Sequence, residues 1–166
     1  MDAKHSIAFE NIYTVECVAP DGTVKWVEEI HNLVTTEGLN DNLDKYLKGS
    51  AYTAAWYVGL TDGTPTTAAA DTLASHAGWV EVTAYTGDRQ ALTLGTVSAG
   101  SVDNSASKAS FPITSDSTTI GGAFVATVAT GTAGILYGVG AFTGGDKVAD
   151  NGDTLNVTVT LTAASA

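Results

Sequence analysis

The residue types that most often carry chemistry are thinly spread along this chain. Its three histidines, His5, His31 and His76, lie far apart, and no His-x-x-x-His or Cys-x-x-Cys spacing gathers a local metal site. Ser75 and His76 are neighbours, but sequence neighbours rarely reach the geometry of a nucleophile and its base. There is no Gly-x-Ser-x-Gly elbow and no glycine loop followed by Lys-Ser/Thr. Neither a strained serine nucleophile nor a phosphate cradle therefore has support. Carboxylates are plentiful, yet no pair stands out as the acid and base of a glycosidase. The single cysteine, Cys17, falls in the alternating run Tyr13 to Val18 and reads as a small buried hydrophobe. Alone, it makes no intrachain disulfide.

Two groups hold a chemical reading open. Asp146, Asp150, Asn151 and Asp153 bring oxygen donors next to Gly152, as calcium sites do. The EF-hand spacing fails, no closing Glu follows, and Lys147 intrudes, so an Asn-Gly turn before a strand is the preferred reading. Trp26, Trp56, Tyr57, Trp79 and Tyr85 would form a sugar-binding face if exposed; in strands, such residues more often fill a core, and that reading is preferred. No catalytic, cofactor-binding or metal-binding residue is assigned, no cofactor is expected, and the chain reads as a non-enzyme.

Composition narrows the partners. Seven Lys and Arg face 18 Asp and Glu, a formal net charge of −11 that repels phosphate backbones and anionic lipid. Neither nucleic acid nor a membrane is expected as a partner. Met1 to Glu10 lacks a basic stretch followed by an apolar one, so no secretory signal is expected there. No apolar run approaches the ~20 residues of a spanning helix. Charged residues make up 15% and apolar residues 44%, a balance that favours a folded core over disorder. The 166 residues fit one domain, 1–166.

The elements that would position these side chains are mostly short strands. Ile12–Val18 and Thr23–Ile30 alternate around Pro20-Asp21-Gly22, a strong hairpin signal. Residues 1–34 thus read as an N-terminal hairpin able to serve as an inter-subunit arm. One short α-helix is expected at about 37–48, where Leu39, Leu43, Tyr46 and Leu47 form an apolar stripe that should dock on a sheet. Thr36 is the expected cap and Gly49 the stop. Strands are then expected near Trp56–Leu60, Trp79–Tyr85, Leu92–Val97, Ala109–Ile113, Ile120–Val128, Ile135–Phe142 and Leu155–Leu161. Pro112 marks an edge or bulge, and Ser98–Ser107 reads as a polar loop. Short strands with Gly-rich turns indicate an all-β sandwich or barrel.

Several segments, in order, resemble a group of small proteins encoded by tailed bacteriophages and prophages. They are Asn32 to Leu39, Trp56-Tyr57-Val58-Gly59-Leu60, and Asp71-Thr72-Leu73-Ala74-Ser75-His76-Ala77-Gly78-Trp79-Val80-Glu81. They continue with Arg89, Ser107 to Phe111, Gly122-Ala123-Phe124, and Gly152-Asp153-Thr154-Leu155 to Val157. The resemblance spans about residues 32–162. It implies a virion structural protein that decorates or cements the capsid, on a β-sandwich or jelly-roll-like fold. It implies the phage major capsid protein as partner, self-association with a trimer favoured, and a place on the capsid surface after synthesis in the host bacterial cytoplasm. The alternative is a tail or fibre component, either a glycan-binding receptor module or a tail subunit. The segment Lys4–His31 lies outside the matching core and carries mixed charge, which makes Lys4, His5, Lys25, Trp26 and His31 the candidate partner contacts. Deleting residues 1–31 is expected to leave the body folded and to abolish particle association.

Overall fold

The longest alternating runs of the sequence pair with each other. In the computed structural model, which describes residues 6–52 and 55–165, β1 (Ile7–Val18) and β13 (Thr154–Ser165) lie antiparallel along their full length. Period two places Tyr13, Val15 and Cys17 of β1 beside Leu155, Val157 and Val159 of β13 on one face, all fully buried. β2 (Val24–His31) returns along the other side of β1 after a turn in which Gly22 takes φ +86°. β7 (Ser101–Asp103) and β8 (Ala109–Pro112) pair in succession with the far side of β13, so Pro112 does sit on an edge strand.

A second antiparallel sheet runs in the order β3 (Leu33–Val34), β11 (Leu136–Ala141), β10 (Gly122–Ala126) and β4 (Tyr57–Asp62). β5 (Val80–Glu81) and β6 (Gln90–Ala91) share the outer edge of β4. β9 (Thr118–Ile120) and β12 (Lys147–Ala149) form a separate two-stranded piece. The two large sheets face each other across one apolar core, in which Val58, Leu60, Ala123, Val125 and Tyr137 join Tyr13, Val15, Phe111 and Leu155. The fold is therefore all-β and sandwich-like, as the strand pattern indicated.

The second sheet is covered on its outer face too. Phe124, Ala126, Leu136 and Val139 pack there against Leu73 and Trp79 from the long connection after β4. That is why β10 is buried at every position, with no polar alternation. Gly59 lies opposite Phe124, and a Cβ there would sit 2.2 Å from the Phe124 ring.

Several expectations change, and of the run Trp79–Tyr85 only Val80–Glu81 forms a ladder. The run Leu92–Val97 makes no ladder, whereas Ser101–Asp103, inside the expected loop, pairs with β13. Leu92 and Leu94 still contribute side chains to the core, so their apolar character has a packing cause without a strand. The helix begins one residue earlier at its cap: Thr35 Oγ1 accepts the Gly38 N–H at 3.1 Å, and α1 (Thr36–Asn42) runs on into a π-helical turn, Leu43–Leu47, before Gly49 at φ +77°. The N-terminal hairpin is built into the body. β1 is an interior strand between β2 and β13, and Tyr13, Val15, Cys17 and Ile30 are fully buried, so removing residues 1–31 would take out part of the core.

Candidate functional site

The most distinctive segment of the sequence, Asp71 to Arg89, is accounted for by packing. Asp71 Oδ2 accepts from the Ala68 N–H at 3.0 Å and from Trp79 Nε1 at 3.4 Å, which closes the loop on itself. Thr72 and Ser75 form a tight mutual turn. His76 stacks on Trp79 with ring centroids 3.7 Å apart, and its Nδ1 lies 3.1 Å from the Trp79 carbonyl. Gly78 packs so closely on Thr66 that a Cβ would lie 2.0 Å from the Thr66 carbonyl oxygen. Glu81 takes a bidentate pair of hydrogen bonds from Arg89, at 2.8 and 2.7 Å. The same guanidinium donates to the carbonyls of Val128 and Gly131 and lies 5.3 Å from the Phe124 ring centroid. His76 therefore packs into the cover over the second sheet through its stacking on Trp79, and Ser75 lies in the exposed turn before it.

Of the candidate partner contacts, Lys25 and Trp26 lie at one end of β2 and His31 at the other. Lys4 and His5 lie outside the described residues. Lys25 is the extra residue of a β-bulge, since Cys17 pairs with Trp26 and Val18 pairs with Val24. The bulge turns its ammonium onto Asp153 at 2.6 Å and Asp150 at 3.0 Å. Trp26 donates from Nε1 to the Val148 carbonyl at 3.0 Å and meets Phe142 edge-on at 5.8 Å. His31 sits five residues along β2, about 16 Å away at ordinary strand rise. There it lies between Glu29 at 3.0 Å and Glu10 at 3.7 Å.

Of the acidic cluster, Asp150 and Asp153 flank a turn and share Lys25, while Asp146 accepts from the Thr64 hydroxyl. Asn151 and Gly152 turn the chain, with Gly152 at φ +92°, and the Asp153 carboxylate accepts the Asp150 N–H at 2.8 Å. Burial works against the ionised form of Asp153, but the Asp150 N–H and the Lys25 ammonium hold its carboxyl below the usual range. The hydrogen bonds from Lys25 and Ser117 do the same for Asp150. Lys25 is correspondingly held above the ordinary lysine range, chiefly by Asp153 and then by Asp150. Cys17, buried against this pair, has its thiol pushed up to about 12 by burial and then by the charge of Asp153. A thiol of that kind is an inert core group.

The surface that sequence reasoning placed inside is the helix. Its stripe was expected to dock on a sheet, yet Leu39 is 42% exposed, Leu43 56%, Leu47 71% and Tyr46 88%. The helix docks by its opposite face. Gly38 packs on Tyr137, where a Cβ would lie 2.4 Å from the carbonyl oxygen, and Asp41 is buried. Asn42 Nδ2 donates to the Tyr137 hydroxyl at 3.0 Å, and Glu37 accepts the Leu136 N–H at 2.8 Å. Thr35 Oγ1 donates to the Leu136 carbonyl. Hydrogen bonds and a close backbone approach thus hold the helix, and its leucines face outward. Tyr52, also exposed, accepts a hydrogen bond from Trp56 Nε1 at 2.7 Å. Sequence reasoning found the stripe but had no signal for the side that docks. Comparison with protein-family models, with curated proteins and with solved structures finds no match for the chain.

Proposed function

We propose that the chain is a non-enzymatic structural protein of a tailed-bacteriophage virion, which decorates or cements the capsid by binding the assembled coat lattice. The observation that carries this reading is the outward apolar face of the helix. Four large apolar side chains at helical spacing, Leu39, Leu43, Tyr46 and Leu47, are exposed while the polar face of the same helix is packed. A helix inverted in this way presents a docking surface of the kind that a groove on another protein buries. The ordered resemblance to phage and prophage proteins, from Asn32 to Val157, supports the same role. So does the network from Asp71 to Arg89, whose polar groups are engaged in stiffening the module. Charge favours a protein partner over nucleic acid, because a net −11 repels phosphate.

The test is cryo-electron microscopy of phage shells, expanded and unexpanded, mixed with the purified chain. Density at symmetric positions on the shell, contacting the helix, is the expected result. The variant Leu43→Ser/Leu47→Ser should keep its melting temperature and lose that density. Density on the tail alone, or shells left bare by the unaltered protein, would overturn the capsid assignment.

A further inference from the structure

The inner face of the first sheet runs on past the second sheet. Along β1 and β13, the buried positions Tyr13 and Val159 give way to Asn11 opposite Leu161, then Phe9 opposite Ala163, then Ile7 opposite Ser165. Ile7 is 71% exposed and Phe9 39%. Phe9 lines an apolar groove together with Tyr137, Leu161, Val102 and Val97, and Ile7 lies beyond it along the strand. Past the pairing of Thr162 with Ser101, the ends of β1 and β13 run on together, with Ile7 and Phe9 on a partly uncovered apolar side.

The backbone of this end of β1 is also unfinished. β2 pairs with β1 only from Ile12 onward, and the Asn32 N–H takes the Asn11 carbonyl at 3.0 Å. Backbone groups of a strand alternate in direction, so odd residues of β1 point toward the β2 side. Beyond Asn11, the odd residues are Phe9 and Ile7, and among the described residues no strand pairs with them on that side. An exposed, apolar, unpaired edge is a template for another strand.

We infer that this edge pairs with the same edge of a second copy of the chain, antiparallel about a twofold axis. The register follows from which groups are free. Ala8 lies opposite Ala8 of the second copy, so Ile7 of each copy exchanges both backbone hydrogen bonds with Phe9 of the other. A shift that used Asn11 would compete with its bond from Asn32. Perpendicular twofold symmetry keeps the inner faces on one side, which joins the Ile7 and Phe9 side chains of both copies into one cluster.

The edge is complementary to itself, since antiparallel pairing about Ala8 satisfies the free backbone groups of Ile7 and Phe9 on both copies at once, and charge permits it. Two chains of net charge −11 repel each other over most of their surfaces. Ile7, Ala8, Phe9 and Thr162 to Ser165 carry no charge, and in this register Glu10 falls opposite Ser6 and not opposite itself. The inference rests on the strand geometry and is independent of the virion assignment.

Sedimentation equilibrium of the full chain tests it, with amide hydrogen exchange read at Ile7 and Phe9. A reversible dimer is expected, with these two amides slowing as concentration rises. Ile7→Pro removes an edge N–H without touching the bonds that Ala8 and Glu10 make to β13. It should weaken association at least about tenfold, on the order of 1.4 kcal/mol, and leave the melting temperature in the wild-type range. Ala8→Ser, whose side chain faces away from the cluster, should associate as wild type does. A monomer at the highest soluble concentration would overturn the proposal. So would a trimer or a dimer that Ile7→Pro leaves unchanged.

Discussion

At the scale of single residues, the polar groups inside this sandwich divide into those with partners and those without. Asp153 is nearly inaccessible and accepts from both Lys25 and the Asp150 N–H. Its carboxyl is held low, so the unfolded chain binds more protons in acid, and the stabilisation is present above about pH 4 and lost as pH falls. Lys25 is held high, so its share is complete below about pH 10 and is lost as pH rises through the folded value. Asp153→Asn should cost about 2 kcal/mol near neutrality. Urea melts across pH should show the variant and wild type converging below about pH 4. A difference that persists unchanged into acid would exclude the ion pair as its cause. Asn11 behaves oppositely: it is buried, and among the described residues its Nδ2 has no hydrogen-bond partner. Leaving a donor unpaired costs about 1–3 kcal/mol, so Asn11→Leu should be neutral or stabilising in the same melts. Cys17 and the Asn151-Gly152 turn were legible in the sequence, because alternation and turn chemistry are local. The bulge that aims Lys25 at Asp153 joins positions far apart in the chain, and no local pattern announces it.

At the scale of elements, the helix separates two uses of one amphipathic pattern. Periodicity identified Leu39, Leu43 and Leu47 as one face, and that face exists. The same rule holds that an apolar stripe must be covered, but it does not say by which molecule. Inside this chain, the covered side is chosen by Gly38, which alone among side chains permits the approach to Tyr137, and by hydrogen bonds from Thr35, Glu37 and Asn42. Two substitutions should therefore behave contrary to their apparent severity. Gly38→Ala adds one methyl group but meets the Tyr137 carbonyl, and overpacking of that kind costs about 1–3 kcal/mol. Leu43→Ser/Leu47→Ser deletes two large apolar groups from water-exposed positions and should change stability by less than about 0.5 kcal/mol. Thermal melts of the two variants side by side give the comparison. A stable Gly38→Ala with an unstable leucine double variant would mean that the helix docks by its other face.

At the scale of the whole molecule, the strand pattern was sufficient for the class of fold and insufficient for its wiring. Alternation predicted β1, β2 and β13, yet the pairing of β1 with β13, the two ends of the chain, depends on the closure of the entire sandwich. That pairing decides what the N-terminal segment does. Read from the sequence, residues 1–31 were separable; in the fold, β1 is the strand that joins β2 to the rest of its sheet. Deleting 1–31 removes Tyr13, Val15, Cys17 and Ile30, all fully buried, and strips one side of β13 of its partner along twelve residues, leaving it only β7 and β8 on the other. Full burial of a large apolar side chain contributes about 1.5–3 kcal/mol. The loss of these side chains with their ladder approaches the whole 5–15 kcal/mol margin of a typical domain. The truncated chain should lose near-ultraviolet circular dichroism and unfold without a cooperative transition, while the outer cover at Trp79 cannot compensate because it packs on the opposite face of the other sheet. A truncated chain that kept a sharp melt near the wild-type temperature would show that the second sheet and its cover fold alone. In that case residues 1–31 would again be free to act as an arm.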